Sequence, residues 1–200
     1  MTKFILIRHA LTDAVGKRLS GRTPGIHLNP EGFEQAHNLA QRLTALPVAA
    51  IYSSPLERAV ETAIPIAESL HLQNVPCNDF NEIDFGEWTN RIVEDIKDQP
   101  LFQQFNSFRS CTRIPGGELM SEAQCRIISG IENLRLQHQQ QTVAIVSHAD
   151  LIKAAIAWYA GIHLDMFHRI EISPASISVI ELYDETARIL VVNNTGDIAI

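Results

Sequence analysis

Two runs of bulky apolar residues that do not alternate, Phe4-Ile5-Leu6-Ile7 and Val143-Ala144-Ile145-Val146, do not suit a sheet with one face in water. Strands of this kind are buried on both faces, as in a parallel sheet covered by helices. Further strands are expected at 49–53, 177–183 and 187–193, with a short one near 74–78. Between the first two, Phe33, Ala36, Leu39, Ala40, Leu43 and Leu46 recur at helical spacing. Asn29-Pro30 supplies a cap and a first-turn proline for that helix. Ser54-Pro55-Leu56-Glu57 reads as a capping box, and Ser121 with Gln124 as a second, ahead of Ala123, Ile127, Ile131 and Leu134 on one face. Leu151 to Gly161 reads as a buried helix. The βαβα alternation predicts an α/β fold: a three-layer α/β/α sandwich with a mostly parallel sheet. Tyr183-Asp184-Glu185-Thr186 reads as a hairpin turn that would leave one antiparallel edge strand. The stretch from about 85 to 120, with Gly86, Pro100, Pro115, Gly116, Gly117 and several phenylalanines, breaks the rhythm and reads as a lid insertion. At 200 residues, one domain over 1–200 is expected.

The formal net charge of −7 argues against nonspecific nucleic-acid binding, which needs a basic surface. Any anion pocket must then be a local arginine cluster. Three cysteines without a CxxC pair argue against a complete disulfide framework and for a reducing, cytoplasmic setting. The apolar run that Arg8 stops is too short for a signal peptide, and no stretch reaches membrane-spanning length. The histidines show no metal-ligand spacing, the acidic residues form no calcium loop, and neither a Walker motif nor GxGxxG occurs. Apolar surface on the last strands is compatible with a homodimer.

The chemistry gathers at strand ends. The first strand ends at Arg8-His9, the second at Ser53-Ser54-Pro55 with Arg58 just beyond, and the strand at 142–147 at Ser147-His148. Ligands in open α/β sheets bind outside the carboxyl ends of the strands. Arginines there give bidentate, charge-assisted hydrogen bonds to phosphate oxygens, and helix N-termini add N–H donors. Histidine serves as nucleophile or as acid and base. A phosphoryl group is the simplest ligand for such a set.

The ordered segments ILIRHALT (5–12), RLSGRTPGIHLNPEG (18–32), IYSSPLERAVETA (51–63), NEIDFGEW (81–88), PGGE (115–118) and VSHADLIKA (146–154) resemble the histidine phosphatase superfamily, in its phosphoglycerate-mutase-like branch. The resemblance implies His9 as the phosphorylated nucleophile. It implies Arg8, Arg58 and His148 as the phosphate pocket and Glu82 as the general acid. Asp84, Glu87 and Glu118 lie in or beside the same stretch, and only the family pattern selects Glu82 among them. Thr12 (through its hydroxyl), Gly21 (through its backbone N–H) and Arg22 are further candidate substrate contacts, with His27 nearby. The chain departs from the family pattern at Ala10 and Leu11, which replace a glycine and a glutamate, at Val15 for an asparagine, at Ser20 for a glutamine and at Asn90 for a glycine.

These residues imply a metal-independent phosphatase that needs no cofactor and hydrolyses a small phosphomonoester, a small phosphorylated metabolite, through a phosphohistidine. Two alternatives stand beside it: mutase-type phosphoryl transfer and a non-catalytic phospho-ligand binding module. Leu11, Val15 and the modest lid favour hydrolysis over transfer. The joint presence of His9 and Glu82 favours catalysis over binding alone.

Overall fold

A computed structural model describes residues 1–196. Strands β1 (Thr2–Arg8), β2 (Val48–Ser53), β3 (Asn74–Pro76), β4 (Thr142–Ser147), β5 (Ile177–Leu182) and β6 (Ala187–Asn194) form one sheet in the order β3-β2-β4-β1-β5-β6. The first four run parallel. β5 pairs antiparallel with β1, and β6 closes the edge antiparallel to β5 through the expected turn, where Tyr183 N–H donates to the Thr186 carbonyl at 2.8 Å.

The helices are α1 (Pro30–Leu43), α2 (Glu57–Ser69), the short α3 (Val93–Ile96), α4 (Pro100–Ser107), α5 (Met120–Gln137) and α6 (Ala149–Ala160). Side chains of successive strand residues point to opposite faces, so the non-alternating runs feed two cores. Phe4, Leu6, Val143 and Ile145 pack with α5, α6 and the 85–114 segment. Ile5, Ile7, Ala144 and Val146 pack with α1 and α2. The sheet is therefore the middle of three layers. No helix among the described residues is long and apolar enough to cross a membrane.

Several local expectations need correction. Phe33 is 52% exposed rather than buried on α1, and Leu46 lies beyond the helix end. Neither capping box forms. α2 starts two residues later than the Ser54 signal, with Leu56 at the cap: Ser54 Oγ still accepts from Leu56 N–H at 3.3 Å, but the Glu57 carboxylate that would complete the box accepts from Gly25 N–H at 3.0 Å instead. α5 begins at Met120, and the carboxylate that closes its first turn is Glu122, accepting from Leu119 N–H at 2.9 Å. Asn29 does cap α1, its Oδ1 accepting from Gly32 N–H at 2.8 Å.

The 85–120 stretch folds into short helical pieces that bury Trp88, Ile96, Phe102, Phe105 and Ile114 in the core. Gly86, at φ 45°, lies so close to the 115–117 loop that an added Cβ would sit 2.2 Å from the Pro115 carbonyl oxygen. Asn90 sits at φ 65°; asparagine is among the few side chains at ease in the left-handed region.

Connections place the site. β1 leads through α1 on one face to β2, whereas β4 leads through α6 on the other face toward β5. The two exits diverge, so a crevice opens between the carboxyl ends of β1 and β4. His9 follows β1 and His148 follows β4 at that crevice, and His9 N–H donates to the Ser147 carbonyl at 2.9 Å.

Candidate active site

A cavity of about 160 Å³ occupies the crevice, lined by Arg8, His9, Thr12, Arg58, Glu82 and Asp150 among others. His9 is nearly buried, and its Nδ1 lies 2.8 Å from its neighbour's carbonyl oxygen, that of Ala10. A carbonyl only accepts, so Nδ1 carries the proton and Nε2 keeps the lone pair. Burial first, then the charges of Arg58 and Arg8, hold the imidazole well below its ordinary pKa. His9 is therefore a neutral nucleophile with a fixed tautomer. The Ala10 region is itself anchored from both sides. Ala10 N–H donates to Thr62 Oγ1 at 3.0 Å, and Leu11 N–H, in the same peptide plane as the Ala10 carbonyl, donates to Gln35 Oε1 at 2.9 Å.

His148 is fully buried, its ring centroid 5.2 Å from that of His9. Its Nε2 lies 2.8 Å from Ser54 Oγ, and Ser54 is 3.4 Å from Asn81 Oδ1. With the Ser54 hydroxyl donating to Asn81, His148 donates from Nε2 and presents Nδ1 as an acceptor to Arg58 Nη2 at 3.4 Å. Burial and the neighbouring Arg58 lower its pKa well below the usual value, so the site holds two neutral histidines. A phosphate dianion between them would favour protonation of His148.

Arg58 is 2% exposed and anchored by donating from Nη2 to the Gly21 carbonyl at 2.8 Å; Arg8 Nη1 donates to the Ile172 carbonyl at 2.7 Å. Arg58 Nη1 and Arg8 Nε are buried with no hydrogen-bond partner. Unsatisfied buried donors are costly, and an anion in the adjoining cavity is the partner such guanidinium groups fit.

Glu82 Oε2 stands 3.6 Å from His148 Nδ1, and Oε1 accepts from Ile83 N–H at 2.9 Å. Burial, with the negative charge of Asp150 adding to it, raises its pKa to about 7 against the pull of Arg58 and Arg8. Geometry now separates Glu82 from its rivals. Glu118 is caged by Arg22, Arg126 and the Asp84 N–H. Asp84 accepts from Gly86 N–H, and neither it nor Glu87 lines the cavity.

Thr12 and Gly21 line the cavity, although Gly21 is tied to it through the carbonyl that holds Arg58 rather than through its N–H. Arg22 does not join them. Its Nε donates to the Glu82 carbonyl at 2.9 Å and its Nη2 to Glu118 at 2.9 Å, so it braces the loop that carries Glu82. His27 pairs with Glu61 and lines a separate cavity. Val15 and Leu19 supply apolar wall.

Sequence reasoning missed Ser54 as a histidine partner, along with Asn81, Thr62, Gln35, Asp150 and Arg109. Asp150 carried a signal, a charge two residues after a strand-end histidine at a helix start. Arg109 carried none, since it arrives from the insertion to pair with Asp150 at 2.8 Å.

The sequence model of the histidine phosphatase superfamily, branch 1, matches residues 4–195. Phosphoserine phosphatase 1 of Hydrogenobacter thermophilus is 33% identical over 199 residues, which cover 98% of this chain and 93% of the relative. Among solved structures, a mutant phosphoserine phosphatase from Entamoeba histolytica in complex with phosphoserine matches with a TM-score of 0.89 at 27% identity over 100% of both chains. Phosphoserine phosphatase from the same organism in complex with 3-phosphoglyceric acid matches at 0.86 and 27% identity, over 97% of this chain and 98% of that one.

Proposed function

Because this chain belongs to the histidine phosphatase superfamily, we propose that it hydrolyses a small phosphomonoester through a phosphohistidine formed on His9, with Glu82 as general acid. The observation that carries this reading is the pairing of a neutral, tautomer-fixed imidazole with two buried guanidinium groups that hold spare donors. The ligands of the two Entamoeba complexes, both small phosphate esters, support the substrate class.

In the first step His9 Nε2 attacks phosphorus, the bond from phosphorus to the ester oxygen breaks, and the Glu82 carboxyl gives its proton to the leaving oxygen. Arg8, Arg58 and His148 balance charge on the transferring group, where catalysis is mostly positioning and electrostatics. Thr12 adds a hydroxyl at the cavity wall. In the second step the Glu82 carboxylate takes a proton from water, whose oxygen attacks the phosphohistidine. Phosphate leaves, His9 is neutral again and Glu82 is reprotonated. A pKa near 7 suits a group that must give and take a proton in turn. Every group in this cycle is a protein side chain or water. The segment at about 85–120 serves as the fixed cover that keeps Glu82 desolvated. The three cysteines are free thiols, the state a reducing compartment maintains, and we place the activity in the cytoplasm.

The test is a set of phosphorylated metabolites incubated with wild type and His9→Ala, reading phosphate release, isomerised product and acid-labile protein labelling. Phosphate release with labelling that His9→Ala abolishes is expected. Isomerised product in place of phosphate would assign transfer instead, and an unaffected rate in His9→Ala would overturn the nucleophile.

A further inference from the structure

We propose that Asp150 is a specificity residue, selecting phosphate esters whose alcohol portion carries a cationic amino group close to the ester oxygen. The inference rests on the phosphatase reading above and deepens it.

A cavity that takes a phosphate dianion gains nothing from an ionised carboxylate in its wall. Asp150 nonetheless lines the cavity, and its field reaches both Arg8 and Glu82. It is not a solvated surface charge. Its side chain is 20% exposed, and Oδ2 accepts from Arg109 Nη1 at 2.8 Å. Arg109 is itself immobilised: its guanidinium stacks on Phe105 at 4.4 Å and Phe167 at 4.5 Å and donates from Nη2 to Asn106 Oδ1 at 3.0 Å. Burial works against the charge on Asp150, but Arg109, with Lys153 and His168 adding to it, keeps the carboxyl below its usual range.

The carboxylate is therefore fixed in place and ionised, yet only half used. Arg109 is its one hydrogen-bond partner among the described residues, through Oδ2, and Oδ1 stays open. A substrate that brings its own ammonium turns the repulsion between Asp150 and phosphate into a charge-assisted hydrogen bond. The division of labour is then electrostatic. Arg8 and Arg58 take the phosphoryl end, and Asp150 takes a cation on the alcohol. The cavity, at about 160 Å³, falls below the roughly 300–1,000 Å³ usual for drug-sized ligands, so the amino group must lie within a few bonds of the ester. Esters without a cation leave Oδ1 without a partner beside the phosphate and are selected against.

The experiment compares kcat/KM on phosphoethanolamine, propyl phosphate and 2-hydroxyethyl phosphate, which differ only in an ammonium, methyl or hydroxyl group, in wild type and Asp150→Asn. Ratios between substrates are read because the ammonium ester has the least basic leaving alcohol, so weakening Glu82 alone would raise its ratio over the other two rather than lower it. Wild type should favour the ammonium ester over the other two by about 10- to 100-fold, the range of one charge-assisted hydrogen bond. Asp150→Asn should bring that ratio down to about 1. A wild-type ratio near 1, equal rates on the ammonium and hydroxyl esters, or a preference that survives Asp150→Asn overturns the proposal. The wild-type ratio is informative even if the variant folds poorly. Failure to release phosphate from any of these esters and from an aryl phosphate would instead overturn the phosphatase reading, and this inference with it.

Discussion

Glu82→Gln replaces a buried acid by a neutral group of the same shape, and its effect on stability is calculable. The Glu82 pKa is raised from 4.5 to about 7 by folding, with burial as the first cause. A group raised on folding contributes stability that is fully present below its unfolded pKa and is lost as pH rises through the folded one. The whole span corresponds to about 3 kcal/mol at 1.36 kcal/mol per pKa unit. Between about pH 5 and about pH 8, wild type should lose roughly 2–3 kcal/mol relative to Glu82→Gln, which has no titrating carboxyl at that position. His9 and His148 act in the opposite sense. Their pKa values are lowered on folding, so their contribution is present above about 6.5 and lost as pH falls. Both proteins carry them, so the difference between the two reports Glu82 together with its coupling to His148 and Asp150. Urea unfolding of the pair across this range measures it. A difference in unfolding free energy that stays flat with pH would refute the assignment of Glu82 as a desolvated acid. The same substitution should slow esters with poor leaving groups more than aryl phosphates, because only the former need a proton delivered.

Gln35→Leu removes the acceptor for Leu11 N–H and frees the peptide whose carbonyl fixes the His9 tautomer. It should cost about 1 kcal/mol of stability and lower kcat with KM little changed. Gln35→Glu, which keeps the acceptor, should restore kcat, and equal losses in both variants would show that the orientation of Ala10 is immaterial. Phosphate release from an aryl ester should persist in excess chelator, since each proton and charge in the cycle has a side chain assigned to it; loss of activity that added metal restores would refute that assignment.

The positions and type of the central strands were readable because a strand buried on both faces has a composition that little else produces; their order in the sheet was not. The site was readable as far as it lay at strand ends: Arg8-His9, Arg58 and His148 each follow a strand that the apolar pattern marks. Local hydrogen-bond signals fared worse. The Ser54 hydroxyl looked like a helix cap; it accepts from Leu56 N–H at 3.3 Å and also orients His148, since a hydroxyl near a chain turn bonds to each partner the fold brings within reach. Arg22 looked like a substrate contact and instead braces Glu82 and Glu118.

By itself the sequence determined the two-sided sheet, the edge at which chemistry gathers and the identity of the pair that begins it, because these follow from local composition and periodicity. The placement that sets Glu82 apart from the other three carboxylates, lining the cavity where they do not, was decided only by the fold. So were the tautomers of both histidines and the approach of Arg109 to Asp150. The His148 tautomer and the Arg109 contact depend on residues far apart in the chain; the His9 tautomer rests on the adjacent Ala10 carbonyl, whose peptide Gln35 holds; and burial turns the Glu82 carboxyl into one titrating at about 7.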